Sequence, residues 1–443
     1  MQLTISQNAN RNYLAKIVRI TNLRPHENAD RLLVTRIDGC NVITAKGGVQ
    51  VGDLVVYFPI ECQISSVYLR ANNMYRHTDK NVDPFKPGGF FEDTGRVRAL
   101  KLRGEKSEGF IAPVSTLDTA FGLQGDYASY EDTEFDAINY VVFVKKYKIH
   151  IQDHTGIRKE KGAAKALLAS KLIEGQFKFH NDTSKFAKEI HKFHPNDEIT
   201  ITWKMHGTSF VSSNLLTKKP LKWYEKALKW LGINIVDTQY DNIYSSRKVI
   251  KNESLRLSQS SFYRQDIWGT VNDLYKSKLM KGETIYGEIV GFTLSGEAIQ
   301  SGFDYGCEDA PGKHFDVYIY RITYTNVDGK VVELNYQQMT ERALELGVKV
   351  VPLLYSGRAE DLVSYKMDMG MREWRETLYA HIADRWVRDQ DSIFCKNKVP
   401  EEGVVVRKEG WKPEAFKLKA FRFLERESKA LDRGEISLED QES

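Results

Sequence analysis

The chain has 443 residues, too many for one ordinary hydrophobic core, so two or three domains are expected. Its 64 Lys+Arg against 60 Asp+Glu leave a formal net charge of +4, which excludes a histone-like polycation but allows a basic groove on one side. The 41% hydrophobic content belongs to a globular chain; no run of 18 apolar residues is present, and the N-terminal segment lacks the apolar core of a signal peptide. Cys40, Cys62, Cys307 and Cys395 are scattered, with neither zinc-site spacing nor the density of a disulfide scaffold. A reducing, cytoplasmic environment is therefore expected, or a host's cytoplasm if the source is viral.

From residue 13 to 115 short strand patterns alternate with turns ("YLAKIVRITNL", "RLLVTRIDG", "NVITA", "GDLVVYFPI"), the rhythm of a small OB-like β-barrel. An N-terminal nucleic-acid-binding domain over 1–115 is the expectation. Near its end Arg96, Arg98, Lys101, Arg103 and Lys106 cluster close to Phe85, Phe90 and Phe91. Cations beside aromatics suit a surface that follows a phosphate backbone and stacks bases; a basic hairpin over a few core phenylalanines reads equally well.

Residues 116–195 read as a connector, with a basic helix expected over Lys159–Ile173. His191 and His194, three apart, lack a third metal ligand nearby and read as surface histidines. Over 196–424 longer strands interleave with helices, the pattern of an α+β domain. Within it Lys219–Gly232 predicts an amphipathic helix whose Trp223 and Trp230 share a stripe, expected to pack on the core or on a flap. A frayed, polar tail is expected over 425–443.

One short stretch, "ITWKMHGTSF", concentrates the chemistry. Ile199, Ile201 and Trp203 fall on one face of a period-2 pattern and Thr200, Thr202 and Lys204 on the other, directly before a His-Gly-Thr turn. Four later segments also place polar residues on one strand face: "SSR" ends in Arg247, "YGEIVG" carries Glu288, "EEGVVVR" carries Glu402, and "FKLKAF" sets Lys417 beside Lys419.

In this order, with "FDVYIYR" between the last two glutamates, the set resembles the covalent nucleotidyltransferases, the superfamily of ATP-dependent ligases and mRNA capping enzymes. "KMHGTSF" resembles the nucleophile motif of RNA ligases more than those of DNA ligases or capping enzymes. "RPHENADRLLVTRIDG", "VGDLVVYFPIE" and "GRVRALKLRGEKSEGF" resemble the OB module that precedes the transferase domain in the Deinococcus–Naegleria type of RNA ligase. The long stretch between "YGEIVG" and "EGVVVR" departs from the family's pattern. DNA ligases and capping guanylyltransferases usually carry their OB domain after the transferase domain. A binding protein with an inactive transferase domain would be expected to have lost some of these residues.

The resemblance implies an α+β fold: an OB-like barrel, then an ATP-grasp-like adenylyltransferase domain of antiparallel sheets with helices. It implies an ATP-dependent RNA ligase, a monomer, that joins 3′-OH and 5′-phosphate ends, as at a nicked duplex, through lysyl-AMP and RNA-adenylate. Lys204 would be the nucleophile, with Arg247, Lys417 and Lys419 neutralising the triphosphate. His206 would contact the nucleotide or help later sealing, Gly207 would contact the nucleotide, and Phe315 would stack on the adenine. Glu288 and Glu402 would hold a divalent Mg2+ or Mn2+, or bind the ribose. Arg96, Arg98, Lys101 and Arg103 would contact nucleic acid.

Overall fold

The structure, a computed structural model, describes residues 2–149, 171–180, 182–251, 263, 265–308, 312–366 and 368–435. The helix expected over Lys159–Ile173 lies, but for its last three residues, outside this set, as does the chain beyond residue 435. Among the described residues no helix is long and apolar enough to cross a membrane.

The N-terminal domain is an OB-fold barrel. Its strands are β1 (Ala15–Arg19), β2 (Ala29–Ile37), β3 (Cys40–Ala45), β4 (Leu54–Pro59) and β5 (Gly109–Pro113). β4 lies between β5 and β1, and β2 pairs with β3. The apolar runs of the sequence fill its interior: Ile17, Val56, Phe58 and Phe135 are fully buried with Tyr68 and Leu69. Residues 134–146 do not form a free connector. Glu134–Phe135 pairs with β1, and Val144–Lys146 pairs with Cys62–Ile64. Their alternation is weak because each strand is only two or three residues long, so the sequence pattern passes below notice.

The second domain has two sheets, formed by β6 (Glu198–Trp203), β7 (Thr208–Lys218), β8 (Thr238–Ser245), β9 (Glu283–Gly291), β10 (Phe315–Thr325), β11 (Leu353–Arg358), β12 (Gly403–Lys408) and β13 (Glu414–Lys419). One sheet runs Ser184–Lys185, β13, β12, β6, β11; the other runs Ile250–Lys251, β8, β7, β9, β10, Val331–Glu333. Its helices are α1 (Trp223–Trp230), α2 (Ile267–Tyr275), α3 (Tyr336–Leu346), α4 (Met371–Trp386) and α5 (Phe421–Asp432).

Each sheet buries one face under helices. Ile199, Ile201 and Trp203 of β6 pack with Trp374, Leu378 and Ile382, which repeat every fourth residue along one stripe of α4. Ile285, Ile289, Val317 and Ile319 pack with Trp268 and Val271 of α2 and Met339 and Leu346 of α3. The long stretch that departs from the family's pattern therefore folds as β10, α3, β11 and α4, and supplies helical cover for both sheets. The opposite faces look into a common cleft.

Two expectations fail here. Trp223 and Trp230 are 81% and 86% exposed, so α1 packs on neither core nor flap. The tail is not frayed over 425–432: these residues continue α5, which turns Phe421 and Phe423 into the protein and buries Ser428 against the barrel. Its acidic residues have partners there, as described below.

Candidate active site

The cleft encloses a cavity of about 560 Å3 lined by Lys204, His206, Arg247, Glu288, Glu402, Lys417 and Lys419 among others. Local geometry explains their convergence. β6 ends at Trp203, the Lys204 N–H donates to the Gly403 carbonyl at 2.9 Å, and the chain then crosses to start β7 in the other sheet. Lys204 thus sits at the crossing, where the two sheets meet.

Gly207 is required by close approach: a Cβ there would lie 2.1 Å from the Ile289 carbonyl oxygen. Its N–H donates to Glu288 Oε1 at 3.1 Å, and its carbonyl accepts from Gln300 at 2.6 Å. Gly403 has φ +132°, and a Cβ would meet the Leu418 carbonyl oxygen at 2.2 Å. This tight pairing aligns Gly403 with Lys419 and Val405 with Lys417, which puts both lysines into the cleft beside Glu402.

Charge is concentrated on one carboxylate. Glu402 is 2% exposed, and its Oε1 lies 2.9 Å from Lys204 Nζ and 3.3 Å from Lys419 Nζ. Burial opposes its charge, but Lys204, then Lys419 and His206, outweigh burial and hold the carboxyl down to about 2. Its Oε2 is buried and accepts no hydrogen bond, and His206 Nδ1 lies 3.9 Å from it. Lys419 also meets Glu427 of α5 at 2.9 Å, and the two acids raise its ammonium above the ordinary lysine value despite burial. Lys417 moves the other way: burial, then Lys419, push it down to about 7.

His206 is held on three sides. Its backbone N–H donates to the Tyr305 hydroxyl at 2.7 Å, and its ring meets Phe303 and Phe423 edge-on at 4.7 and 4.8 Å. Arg247 forms an ion pair with Asp182, which also accepts from Asn10 of the barrel at 3.0 Å. Burial works against the Asp182 charge, but Arg247 prevails and lowers its pKa.

Phe315 does not reach the cavity. On β10 it alternates in step with Val317 and Ile319, which face the α2 and α3 side, so it packs there. Tyr320, of opposite parity, lines the cavity and meets the His180 ring at 4.9 Å. Burial, then Arg321 and Arg247, push His180 down to about 3, so its ring is neutral at pH 7.

Part of the basic run of the barrel lies elsewhere than expected. Arg96 is a buried cation bonded to Glu61 and to Asp432 of α5 rather than a surface group. Arg98 reaches Asp432 at 3.3 Å, while Lys101 and Arg103 stay exposed on a hairpin that lines no part of the cavity. His191 and His194 are both exposed.

Sequence reasoning missed Tyr13, His180, Asp182, Tyr320 and Glu427, all of which line the cavity. The "FDVYIYR" alternation could have pointed to Tyr320. Nothing local marks Tyr13, which arrives from the barrel.

A family model for RNA ligases matches residues 197–420. The chain belongs to the RNA ligase family. An OB-fold domain model matches residues 14–114 of this RNA ligase family member. No curated protein matches the chain. Among solved structures it is similar to an apo mutant of Naegleria gruberi RNA ligase, at 17% identity and TM-score 0.52, with 95% of this chain and 99% of that one covered. It is also similar to a mutant of that ligase with ATP and Mn (17%, TM-score 0.51, 93% and 98%) and to the ligase with PPi (17%, TM-score 0.51, 95% and 100%). At these identities the likeness shows a shared two-domain fold, barrel first.

Proposed function

We propose that the protein is an ATP-dependent RNA ligase that joins 3′-OH and 5′-phosphate ends through a lysyl-AMP and an RNA-adenylate. The observation that carries this reading is the Lys204 ammonium at the sheet crossing, 2.9 Å from Glu402 in a cavity shared with Arg247, Lys417 and Lys419. The Naegleria gruberi structures with ATP and Mn, and with PPi, support the same ligands here.

In the first step the Lys204 amine attacks the α-phosphorus of ATP. A P–N bond forms, the bond to the β-phosphate oxygen breaks, and pyrophosphate leaves. The amine is a nucleophile only when neutral, and neighbouring cations favour that form. The same cations neutralise the phosphates, so positioning and charge supply most of the catalysis. Tyr320, whose ring meets His180 edge-on, is the aromatic surface offered to the adenine in place of Phe315. In the second step the AMP passes to a 5′-phosphate; in the third a 3′-hydroxyl displaces AMP and closes the strand.

The donor set fits a divalent cation. Two carboxylates, one with a buried oxygen lacking a hydrogen-bond partner, suit Mg2+ or Mn2+ completed by phosphate oxygens and water rather than a closed protein cage. Held by Glu288 and Glu402, the ion would offset charge on the phosphoryl oxygens and loosen the grip of Glu402 on the Lys204 ammonium.

The test is incubation with α-labelled ATP and Mg2+ or Mn2+, then denaturing electrophoresis of wild type and Lys204→Ala. Label on wild type alone is the expected result. Label from GTP instead would indicate capping chemistry, and no label from either on folded protein free of bound AMP would sink the enzymatic reading.

A further inference from the structure

We propose that Glu427 of α5 occupies, on Lys419, the position that a nucleotide phosphate needs, so that nucleotide binding and the seating of the barrel oppose each other through α5. The proposal rests on the ligase reading above, in which Lys419 meets the triphosphate. Lys419 Nζ lies 2.9 and 3.0 Å from the two carboxylate oxygens of Glu427 and 3.3 Å from Glu402 Oε1. An ammonium has three N–H donors, and three carboxylate oxygens already surround this one. A phosphate oxygen reaches it by taking the place of one of them.

Burial decides which acid yields. The Glu402 side chain is 2% exposed and is held by Lys204 as well. The Glu427 side chain is 34% exposed, with solvent to turn into. Were Glu427 to stay, its charge would stand beside that of the incoming phosphate on one ammonium, and like charges so close repel. Glu427, ahead of Glu402, also keeps the Lys419 ammonium charged against burial. It is a positioning residue, which holds that cation until a phosphate replaces it.

The neighbouring residues of α5 seat the barrel. Ser428 donates its hydroxyl to Glu61 at 2.6 Å and accepts the Ala99 N–H at 3.2 Å. Its carbonyl accepts from Arg96 at 3.0 Å, and Asp432 pairs with the same arginine. On the cavity side the Lys419 ammonium lies over the Phe423 ring, 4.8 Å from its centre. Glu427 and Ser428 share one turn of helix, so a shift of α5 that frees Lys419 also disturbs the bonds to Glu61 and Ala99. By linkage the opposition is reciprocal: nucleotide loosens the seat, and a loosened seat favours nucleotide.

The experiment measures, by calorimetry, the binding of α,β-methylene ATP and of inorganic tripolyphosphate to the full chain freed of bound AMP. Glu427→Gln keeps the shape of the side chain and removes its charge. Glu425→Gln is the control, since it takes the same charge from α5 at a residue paired with Lys429. Glu427→Gln is expected to bind both probes about tenfold more tightly than wild type, and Glu425→Gln to bind them like wild type. A merely structural role for Glu427 would weaken binding or leave it unchanged. Either result overturns the proposal, as does an equal gain in the control. Ser428→Ala keeps Glu427 but loosens the seat, and it too is expected to bind more tightly. Hydrogen exchange reads the reverse direction: saturating analogue should speed exchange of the Ala99 N–H in wild type and not in Glu427→Gln. Unchanged affinity in Ser428→Ala, or unchanged exchange in wild type, overturns the opposition. If wild type takes no label from ATP and does not bind the analogue, the ligase reading fails instead. The tripolyphosphate comparison then still decides whether Glu427 competes with phosphate.

Discussion

Lys417 carries a consequence of its own at the scale of single residues. Burial and Lys419 hold it down to about 7, so above that pH it is largely neutral in the free protein. Phosphate oxygens favour the charged form, so nucleotide binding must raise its pKa and take up a proton. Affinity for an α,β-methylene ATP analogue is accordingly expected to fall as pH rises above 7. Calorimetry at pH 8 in two buffers of different ionisation enthalpy should show net proton uptake, and Lys417→Met should abolish it. Equal apparent enthalpies in both buffers for wild type would rule the account out. The residues at strand ends were legible in the sequence because each motif couples a polar side chain to a glycine or to a change of alternation. Phe315 was misplaced because two aromatic positions of β10 differ only in parity, and the motif alone does not say which parity faces the cleft. Tyr13 was invisible, since no local pattern connects residue 13 to the cavity.

At the scale of elements, α1 and α4 show what an apolar stripe does and does not reveal. Both contain two tryptophans. Trp374 is completely buried and donates its indole N–H to the Val363 carbonyl at 2.7 Å, whereas Trp223 and Trp230 project into solvent. Trp374→Ala is expected to cost about 3–5 kcal/mol in chemical denaturation. Trp223→Ala and Trp230→Ala are each expected to stay within about 0.5 kcal/mol of wild type. A loss at either α1 site comparable to that at Trp374 would mean that α1 is covered in solution. The periodicity identified a helix near the right place, but periodicity reports only that one face is apolar. Whether anything lies against that face depends on segments distant in sequence. The strands of the ligase domain were easier, because two-residue alternation and burial under α2, α3 and α4 agree.

For the whole molecule, the decisive element is α5. Arg96 of the barrel bonds to Glu61, to the Ser428 carbonyl at 3.0 Å and to Asp432, while the Ser428 hydroxyl donates to Glu61 at 2.6 Å. One residue earlier, Glu427 grips Lys419. Arg96→Ala would leave Glu61 inside the interface without its cation, a change expected to cost about 3 kcal/mol or more. Thermal unfolding should shift down and split into separate domain transitions, with the salt slope of RNA binding unchanged. A slope reduced by about one at full stability would instead return Arg96 to the phosphate-contacting role suggested by its sequence context. That context misled because the partners of Arg96 in α5 lie more than 300 positions away, at a separation of 332 for the Ser428 bond. A cluster of arginines reads the same whether it faces RNA or another domain.

The same separation imposes an order on synthesis. The barrel closes its own sheets and can fold while most of the chain is still unmade, since domains generally form as units during translation. Its seat against the ligase domain depends on α5, which follows every motif strand. Until Phe421–Asp432 leaves the ribosome, the nascent protein can hold a finished barrel and, later, a nearly finished catalytic cleft joined only by contacts such as Asn10 to Asp182 and Lys106 to Asp389. Glu427 reaches Lys419 and Ser428 reaches Glu61 from the same turn of helix, so the arrival of α5 completes the cleft and tightens the barrel's seat in one event.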